Sequence, residues 1–457
     1  MSSKEEAEDL VDVIIIGAGF AGVTVARELS QRGKRVVILE ARDRIGGRTL
    51  TENTDFDCAE PLELGGAWVH WLQPHVWSEL TRYGLDLNVC DDVQRVMWFA
   101  GNQLHSGRPE EFEALIGPSM DIFVRDALSL FPIPDRPINV ITNALREADQ
   151  LSIKDKIEQM HDTPDVVKEL LDGFWSINFN CPSNQGAYTQ AMRWIARAGG
   201  SWQFALQSCG QYTIKKGTIG LLKCMLDDSI PHTTVHLNTI VTNVNQTGKY
   251  ASVRLSNGKE LHAKYVVVTV PLNVLNRITF SPPLNDRKQQ AASTGQASCG
   301  IKLFIHVRGV PSESFCAYAS SDYAINYVQT ERCSSPNDKI TSDTSILLAF
   351  GPDATRINVT DRTAVAKELQ RWLPDVEVLQ VVCYDWFHDL FSGETWPMLR
   401  PGQLTACLSA LQEPEKRIRL AGSDYASFYA GSIDGAIESG LRAARTILNE
   451  LESCVPL

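Results

Sequence analysis

The sequence lacks the features that would place the chain in a membrane or on a nucleic acid. No apolar run approaches the roughly 20 residues needed to cross a bilayer. The first twelve residues, MSSKEEAEDLVD, lack the apolar segment of a secretory signal peptide. Basic side chains are in the minority, with 43 Lys and Arg against 55 Asp and Glu. The resulting net charge of −12 argues against a nucleic acid or an anionic membrane as the partner.

The eleven cysteines show none of the spacings that hold metals or disulfides. They are odd in number, scattered and never in C-x-x-C spacing, which predicts reduced thiols in a cytoplasmic protein. His232 and His236 are four residues apart, but Pro231 and the β-branched residues between the two histidines favour a strand, so we expect no metal site. The last four residues, CVPL, formally match a prenylation box. Because no polybasic segment precedes them, we interpret that match as coincidence.

The most informative spacing in the chain lies within residues 12–48. An apolar run at residues 13–16 leads into the glycine turn GAGFAG, and an apolar-periodic segment that predicts a helix follows. A second apolar run, residues 36–39, ends at Glu40, eighteen residues after the turn. Strand, glycine turn, helix, strand and acid at this spacing predict a Rossmann-like dinucleotide-binding unit.

Each position in this unit has a mechanical reason. Gly17 permits the tight turn, Gly19 lets the backbone approach a pyrophosphate, and Gly22 lets the helix pack closely on the strand. The helix N-terminus offers free N–H groups to phosphate, and Glu40 accepts hydrogen bonds from ribose hydroxyls. The residues expected to contact the cofactor here are Gly17, Gly19, Phe20, Ala21, Gly22, Glu40, Ala41, Arg42, Gly47 and Arg48.

Residues 44–48, RIGGR, narrow the expected cofactor from a dinucleotide to a flavin. In this segment the sequence resembles the flavin-containing amine oxidase (monoamine oxidase) family, whose members carry RxGGR just after the ribose-binding acid. Similar segments follow in the family's order, at residues 64–70, 299–305, 385–396 and 420–436. The resemblance runs from residue 12 to about 447 and is strongest to soluble microbial members, which include bacterial hydroxynicotine and cycloalkylamine oxidases.

The resemblance implies an α/β fold of the p-hydroxybenzoate hydroxylase-like amine oxidase architecture. At 457 residues the chain is also too long for one ordinary core, so we expect two domains. A discontinuous FAD-binding domain would comprise residues 1–80, 215–298 and 385–457. A substrate-binding domain of sheet plus helices would comprise residues 81–214 and 299–384. Helical patterns between residues 76 and 214, including helices over 110–130 and 138–149, predict a roof over the substrate.

Further cofactor contacts follow from the resemblance alone. They are Gly65, Gly66, Ala67 and Trp68 near the flavin ring, Val241 at the adenine, Trp386 packed on the ring system, Gly422, Ser423 and Asp424 near the ribityl–phosphate region, and Ser432 and Ile433 at a helix N-terminus facing the electron-rich edge of the flavin. In covalently flavinylated members a cysteine bonds the flavin at the position of Thr395. Threonine cannot form that thioether, so we expect non-covalent FAD.

Two residues are the expected catalytic residues. Lys302 stands in an apolar strand, where burying an ammonium is costly unless the charge has a use. The resemblance implies that Lys302 is linked through a water to the flavin N5 and stabilises the charge that develops during reoxidation by oxygen. Trp396 takes the place of the first aromatic of the family's two-walled cage, whereas Ser432 replaces the second.

The expected substrate-binding residues are mostly aromatic. They are His70, Trp175, Phe179, Trp202, Tyr323, Phe350 and Trp396. Aromatic residues at roof spacing are also typical of a hydrophobic core, and His70 fits a packed structural histidine equally well.

The function predicted on these grounds is FAD-dependent oxidation of the C–N bond of a primary or secondary amine, cyclic amines included. Hydride transfer to flavin N5 gives an imine, and O2 is reduced to H2O2. Three alternatives stay open: a dehydrogenase with a protein electron acceptor, a flavin-binding protein without turnover, and an L-amino-acid oxidase. The last needs a roof arginine for the carboxylate, for which Arg193 and Arg197 are candidates. The sequence leaves the oligomeric state open, a homodimer included.

Overall fold

The structure is a computed structural model that describes residues 10–53, 56, 61–246, 248–311, 313–333 and 344–453. The predictions made for residues 1–9 and 454–457 lie outside these ranges. Within them, no helix combines the length and the apolar character that crossing a membrane requires.

The described chain contains both runs of strands and a run of helices between residues 109 and 207. The strands are β1 Val11–Ile16, β2 Val36–Leu39, β3 Thr51–Glu52, β4 Leu62–Glu63, β5 Trp68–Val69, β6 Leu87–Val89, β7 Arg95–Ala100, β8 Gln103–Gly107, β9 Tyr212–Ile214, β10 Thr233–His236, β11 Val241–Gln246, β12 Ala251–Leu255, β13 Glu260–Val268, β14 Thr279–Ser281, β15 Ile301–Arg308, β16 Phe315–Tyr318, β17 Tyr327–Cys333, β18 Thr344–Gly351, β19 Glu377–Cys383 and β20 Ile418–Leu420. The α-helices are α1 Phe20–Ser30, α2 Pro74–Tyr83, α3 Pro109–Val124, α4 Ala127–Leu130, α5 Asn143–Asp149, α6 Ile153–Glu158, α7 Asp165–Phe179, α8 Tyr188–Arg197, α9 Trp202–Gln207, α10 Gly217–Asp227, α11 Asp286–Thr294, α12 Arg362–Leu369, α13 Gln403–Gln412 and α14 Ile433–Ser453.

The largest sheet brings the two ends of the chain together. Its order is β10-β2-β1-β13-β12-β11-β14, and β20 pairs with the end of β13. β1 lies between β2 and β13 and is parallel to both. Its last four residues are all buried and apolar, as expected for a parallel strand that is covered on both faces. β1, α1 and the C-terminal helix α14 share one hydrophobic core, in which Val13 and Ile15 pack with Ala444 and Ile447.

A second sheet has seven strands in the order β19-β15-β18-β17-β16-β7-β8. β15 pairs antiparallel with β18 on one side and with β19 on the other, so this strand lies inside the sheet. One face packs in a core with α12, where Leu303 and Ile305 meet Val365 and Leu369. The opposite face is therefore free to form a wall of the cavity described below.

Helices α3 to α9 form a roof with an aromatic core of its own. Phe123, Trp175 and Tyr188 are buried there, and the Tyr188 hydroxyl donates to the Phe123 carbonyl at 2.9 Å. The helix predicted over residues 110–130 is two helices, α3 and α4. The helix predicted over 138–149 begins only at Asn143, because Thr142 caps it by accepting a hydrogen bond from the Leu145 N–H at 3.1 Å.

Candidate active site

A cavity of about 770 Å³ opens between the large sheet, the second sheet and the roof. Its lining includes the glycine turn after β1, segments 46–49 and 64–68, parts of β15, β17 and β18, and the end of roof helix α8. Of the positions predicted to contact the cofactor, all but Gly22 and Asp424 line this cavity. The segments named from the sequence therefore converge on one place.

The glycine turn forms a concave backbone surface, and a side chain at Gly17 or Gly22 would clash with neighbouring atoms. Gly17 has a φ of +108°, and a Cβ there would lie 2.5 Å from Oγ1 of Thr269. A Cβ on Gly22 would lie 2.1 Å from the Gly17 carbonyl oxygen, so Gly22 faces the turn and not the cavity. The sequence predicts that Gly22 contacts the cofactor, and its position facing the turn does not agree with that prediction. Gly19 precedes α1 as its N-cap without a side-chain cap, which leaves the N–H groups of the first turn for a phosphate.

Glu40 is a buried carboxylate held in place at the end of β2. Its Oε2 accepts a hydrogen bond from the Ala18 N–H at 2.8 Å, and its Oε1 accepts one from the Arg42 N–H at 2.9 Å. Each oxygen keeps acceptor capacity, and Glu40 lines the cavity. The acid is therefore oriented before any ligand binds.

Arg48 joins the N-terminal part of the cavity to two later segments. Its guanidinium donates to Glu394 and to Asp424, and also to Oγ of Ser423 at 3.0 Å. Asp424 lies behind this arginine and additionally accepts from the Leu272 N–H at 3.1 Å. Asp424 does not line the cavity, since its carboxylate accepts from Arg48 and from the Leu272 N–H behind it; its contact with the cofactor stays a prediction.

The two acids beside Arg48 have opposite protonation tendencies. Burial, with Asp424 close by, raises the pKa of Glu394 well above its ordinary range. Burial also acts to raise the pKa of Asp424, but Arg48 and a hydrogen bond from Glu394 outweigh it and the pKa is lowered. Glu394 is thus the acid that keeps its proton, and Asp424 carries the charge that pairs with Arg48.

Lys302 projects from β15 into the cavity next to the glycine pair. Its Nζ donates to the carbonyls of Glu63 and Gly65 at 2.7 and 2.9 Å and lies 4.7 Å from the centroid of the Trp68 ring. Burial lowers the pKa of Lys302 to about 8. A Cβ on Gly65 would lie 2.9 Å from Trp386, whose Nε1 donates to the Leu64 carbonyl. Close packing therefore requires glycine at position 65.

A row of side chains crosses the second sheet from Lys302. The pairing places Lys302 opposite Phe350, Phe350 opposite Tyr327, and Tyr327 opposite Tyr318. Directly opposite residues share a face of the sheet, and all four line the cavity. Sequence reasoning missed Tyr318 and Tyr327, because neither stands in a recognisable motif and only the strand register brings them beside Phe350.

Trp396 lies beside Phe350 in this row. Its ring meets Phe350 edge-on at a centroid separation of 6.2 Å, and its Nε1 donates to the Asn178 carbonyl at 3.1 Å. Ser432 also lines the cavity, but its hydroxyl accepts from the Gly435 N–H at 3.2 Å and donates to the Tyr429 carbonyl at 2.7 Å. The serine thus caps the start of α14.

Three roof aromatics predicted to bind substrate belong to the roof core. Trp175 and Phe179 are buried, with ring centroids 5.7 Å apart, and neither lines the cavity. Trp202 is also outside the lining and donates from Nε1 to Asp121 at 3.0 Å. These predictions are wrong, because helical spacing does not reveal which face of a roof helix packs inward on its neighbours.

His70 and Tyr323 are likewise absent from the cavity lining. His70 is buried, with Nδ1 accepting from the Leu72 N–H at 3.1 Å, so its Nε2 donates to Gln211 at 2.8 Å. Burial lowers the pKa of His70, which favours this neutral form. Tyr323 stacks on Phe99 at 5.4 Å on the far side of the second sheet. Both are packing residues, contrary to prediction.

The charges around the cavity are unevenly distributed. Among its described lining residues, Glu40 is the only carboxylate. Four arginines and one lysine line it as well: Arg42, Arg48, Arg197, Arg277 and Lys302. The part bounded by Phe350, Tyr327 and Trp396 therefore offers an aromatic surround without an acid to pair with an ammonium.

Comparison with known proteins agrees with this geometry. The profile of the family described as "Flavin containing amine oxidoreductase" matches residues 20–448. The chain is 36% identical to a pseudooxynicotine dehydrogenase of Pseudomonas sp over 96% of this chain and 87% of that protein. It is 28% identical to the (S)-6-hydroxynicotine oxidase of Paenarthrobacter nicotinovorans over 96% of this chain and all of that protein. A structure of putrescine oxidase bound to putrescine superposes with a TM-score of 0.80 at 21% identity, covering 96% of this chain and 99% of that one.

These matches confirm the predicted α/β amine oxidase fold, the flavin cofactor and the assignment of an oxidoreductase acting on amines. Each match covers nearly the whole chain. The chain therefore belongs to the family of flavin-containing amine oxidoreductases.

Proposed function

We propose that this protein oxidises the C–N bond of a primary or secondary amine, cyclic amines included, to an imine, with FAD held non-covalently and O2 reduced to H2O2. The observation that carries the proposal is the composition of the cavity. A phosphate cradle and a fixed carboxylate at one end adjoin an aromatic chamber that contains Lys302 and no acid among its described residues. Such a chamber suits a neutral amine.

The residues of the cavity fit FAD. The α1 N-terminus at Gly19 would face the pyrophosphate, and Glu40 would accept from the ribose hydroxyls. Asp424 holds the Arg48 guanidinium in place, and Arg48 lines the same cavity. Thr395 lines the cavity and offers no thiol, so acid precipitation should release all of the FAD into solution. The division into a FAD-binding domain of residues 1–80, 215–298 and 385–457 and a substrate-binding domain stays a prediction.

FAD, when bound, supplies the acceptor for the hydride that leaves the carbon next to the amine nitrogen. Trp396, Phe350 and Tyr327 would orient the amine and keep water from the reacting carbon. The ammonium of Lys302 repels a protonated amine, and the described lining of the chamber offers that amine no carboxylate. The substrate would therefore bind with a free lone pair, and no side-chain base is needed.

The placement of Lys302 favours O2 as the electron acceptor. Its charge, buried at the cavity wall, would stabilise the negative charge that develops on oxygen. A second candidate is a dehydrogenase that passes electrons to a protein acceptor. The name of the relative that is 36% identical, pseudooxynicotine dehydrogenase, favours this candidate specifically.

One experiment tests the proposal and separates the two acceptors. The purified holoprotein is mixed anaerobically with a panel of primary, secondary and cyclic amines while the visible flavin absorbance is recorded. We expect at least one amine to bleach the flavin, and air to restore the colour within seconds with stoichiometric peroxide. Recovery only after a one-electron protein or dye acceptor is added would select the dehydrogenase. If no amine bleached the flavin, the proposed function would be wrong.

A further inference from the structure

Arg197, the last residue of roof helix α8, is a cation without a counterion at the cavity wall. Its guanidinium lines the cavity, and its Nε is buried with no hydrogen-bond partner. No hydrogen bond or salt bridge joins it to any residue that the structure describes. The guanidinium stacks instead on Tyr429, with Cζ 4.2 Å from the ring centroid. Tyr429 in turn carries the carbonyl that accepts from Ser432, which lines the same cavity.

Arg193, one helical turn earlier, shows what a structural arginine looks like in this roof. It donates to the carbonyls of Ala426 and Ser427 at 3.3 and 3.0 Å and does not line the cavity. Arg193 therefore fastens the roof to the loop before α14. Arg197 makes no comparable contact, although it lies on the same helix face four residues later.

Asp434, the acid whose charge acts on Arg197, is already engaged. Asp434 accepts from the N–H groups of His75 and Val76 at 2.6 and 2.9 Å and from the His75 ring at 3.1 Å. It thus caps the start of α2 and forms no salt bridge with Arg197. Burial lowers the pKa of the Arg197 guanidinium, the expected effect where no counterion offsets the lost hydration.

The Arg197 side chain is partly buried, and its buried Nε has no acceptor in the described chain. Leaving a charge desolvated without a partner is costly, and stacking on an aromatic ring offsets only part of that cost. The planar fork of a guanidinium matches a carboxylate with two parallel hydrogen bonds. The missing group would enter through the cavity, because Arg197 lines it.

We propose that Arg197 binds a carboxylate carried by the amine substrate. The substrate class would then be amino acids and other amines with an acid group, rather than purely apolar amines. This inference rests on the proposed function and narrows it, since the amine end of the same molecule would lie in the aromatic chamber. It also assigns the role of carboxylate anchor to Arg197 and excludes Arg193.

A first experiment measures anion recognition without turnover. The oxidised holoprotein is titrated with benzoate and with its uncharged analogue benzamide, and the change in the flavin spectrum reports binding. We expect benzoate to bind about 10-fold more tightly or better, the worth of a charge-assisted hydrogen bond. Arg197→Gln should abolish this preference, and Arg197→Lys should keep part of it. Equal binding of the two ligands, no binding of benzoate, or an unchanged preference in Arg197→Gln would overturn the proposal.

Arg146→Gln is the matched control, because Arg146 is an exposed roof arginine that does not line the cavity. It should leave the preference for benzoate unchanged. If Arg197→Gln does not fold with FAD, the wild-type preference and its reduction in Arg197→Lys decide the question instead. A preference that is identical in Arg197→Lys and the wild type would then count against the proposal.

A second experiment uses turnover, with benzylamine compared with 4-(aminomethyl)benzoate and phenethylamine compared with phenylalanine. Anaerobic flavin reduction should show tighter binding of at least one acid-bearing member, and Arg197→Gln should weaken only the acid-bearing members. Equal effects of the variant on both members of each pair would overturn the carboxylate assignment. If no amine reduced the flavin, the proposed function would fail, but the benzoate titration would still report on Arg197 by itself.

Discussion

The guanidinium of Arg48 donates a hydrogen bond to the carboxylate of Asp424, which lies 376 residues further along the chain. The same guanidinium donates to Glu394, so three distant segments meet at one partly buried cation. This arrangement explains how a discontinuous chain builds one cofactor cavity. The glycine-arginine segment lines the cavity, and the C-terminal segment holds it from behind.

Replacing the two acids beside Arg48 should have unequal effects. Asp424→Asn removes the buried charge that pairs with Arg48 and should cost about 3 kcal/mol of unfolding free energy, together with weaker FAD retention. Glu394→Gln resembles the protonated acid already present and should cost less than about 1 kcal/mol. Denaturant unfolding and the FAD retained after gel filtration measure both effects. Similar losses in the two variants would contradict the protonation states inferred here.

Because of Lys302, the free energy of unfolding should change with pH in the alkaline range. Its pKa is lowered by burial from about 10.5 to about 8 in the folded protein. Between these values the unfolded chain binds a proton that the folded chain has released, so the free energy of unfolding rises with pH. The full rise is about 3 kcal/mol. Lys302→Met lacks this group, so the difference between wild type and variant should change across pH 8–10.5; parallel profiles would refute the assignment.

The same substitution should separate the two halves of the reaction if oxygen is the acceptor. Lys302→Met removes the positive charge at the cavity wall, so reoxidation by oxygen should slow by about 100-fold. Anaerobic reduction by the amine should change far less, because the lysine does not hold the substrate in this account. Stopped-flow absorbance of the flavin measures both steps. Equal slowing of reduction and reoxidation is the outcome that this role does not allow.

Aromatics of the roof core and of the cavity should respond differently to mutation. Trp175→Phe should lower the free energy of unfolding by about 2 kcal/mol without changing amine binding, because the indole is buried away from the cavity. Phe350→Leu keeps an apolar side chain of moderate size but should weaken amine binding several-fold. Chemical unfolding and anaerobic titration distinguish the two. Weaker amine binding in Trp175→Phe would restore its original prediction as a substrate residue.

The elements predicted best from the sequence are those that depend on local spacing along the chain. β1, the glycine turn, α1, β2 and Glu40 are contiguous, and the physical requirement of each is met within a few residues. The motifs around residues 65, 386 and 422 resemble family segments, and the structure places these residues in the lining of the cavity. The boundaries of the two domains stay a prediction.

What depends on tertiary packing was predicted poorly. Trp175 and Trp202 were assigned to the substrate because they are aromatic, but the face of a helix that turns toward a cavity is set by its neighbours. Tyr318 and Tyr327 were missed because only the strand register brings them into line with Lys302. Asp424 stands in the expected motif, but its charge is used by Arg48. In each case the deciding contact is made by a residue far away in sequence.

The central claim is that one cavity holds FAD and presents it to a neutral amine. The most direct test is the pH dependence of anaerobic flavin reduction by an amine that the holoprotein accepts. Below the pKa of the free amine, the apparent dissociation constant should rise about tenfold per pH unit fall, because only the unprotonated amine binds. The limiting rate of reduction should stay constant over the same range. A dissociation constant independent of pH across the amine's pKa would contradict the account.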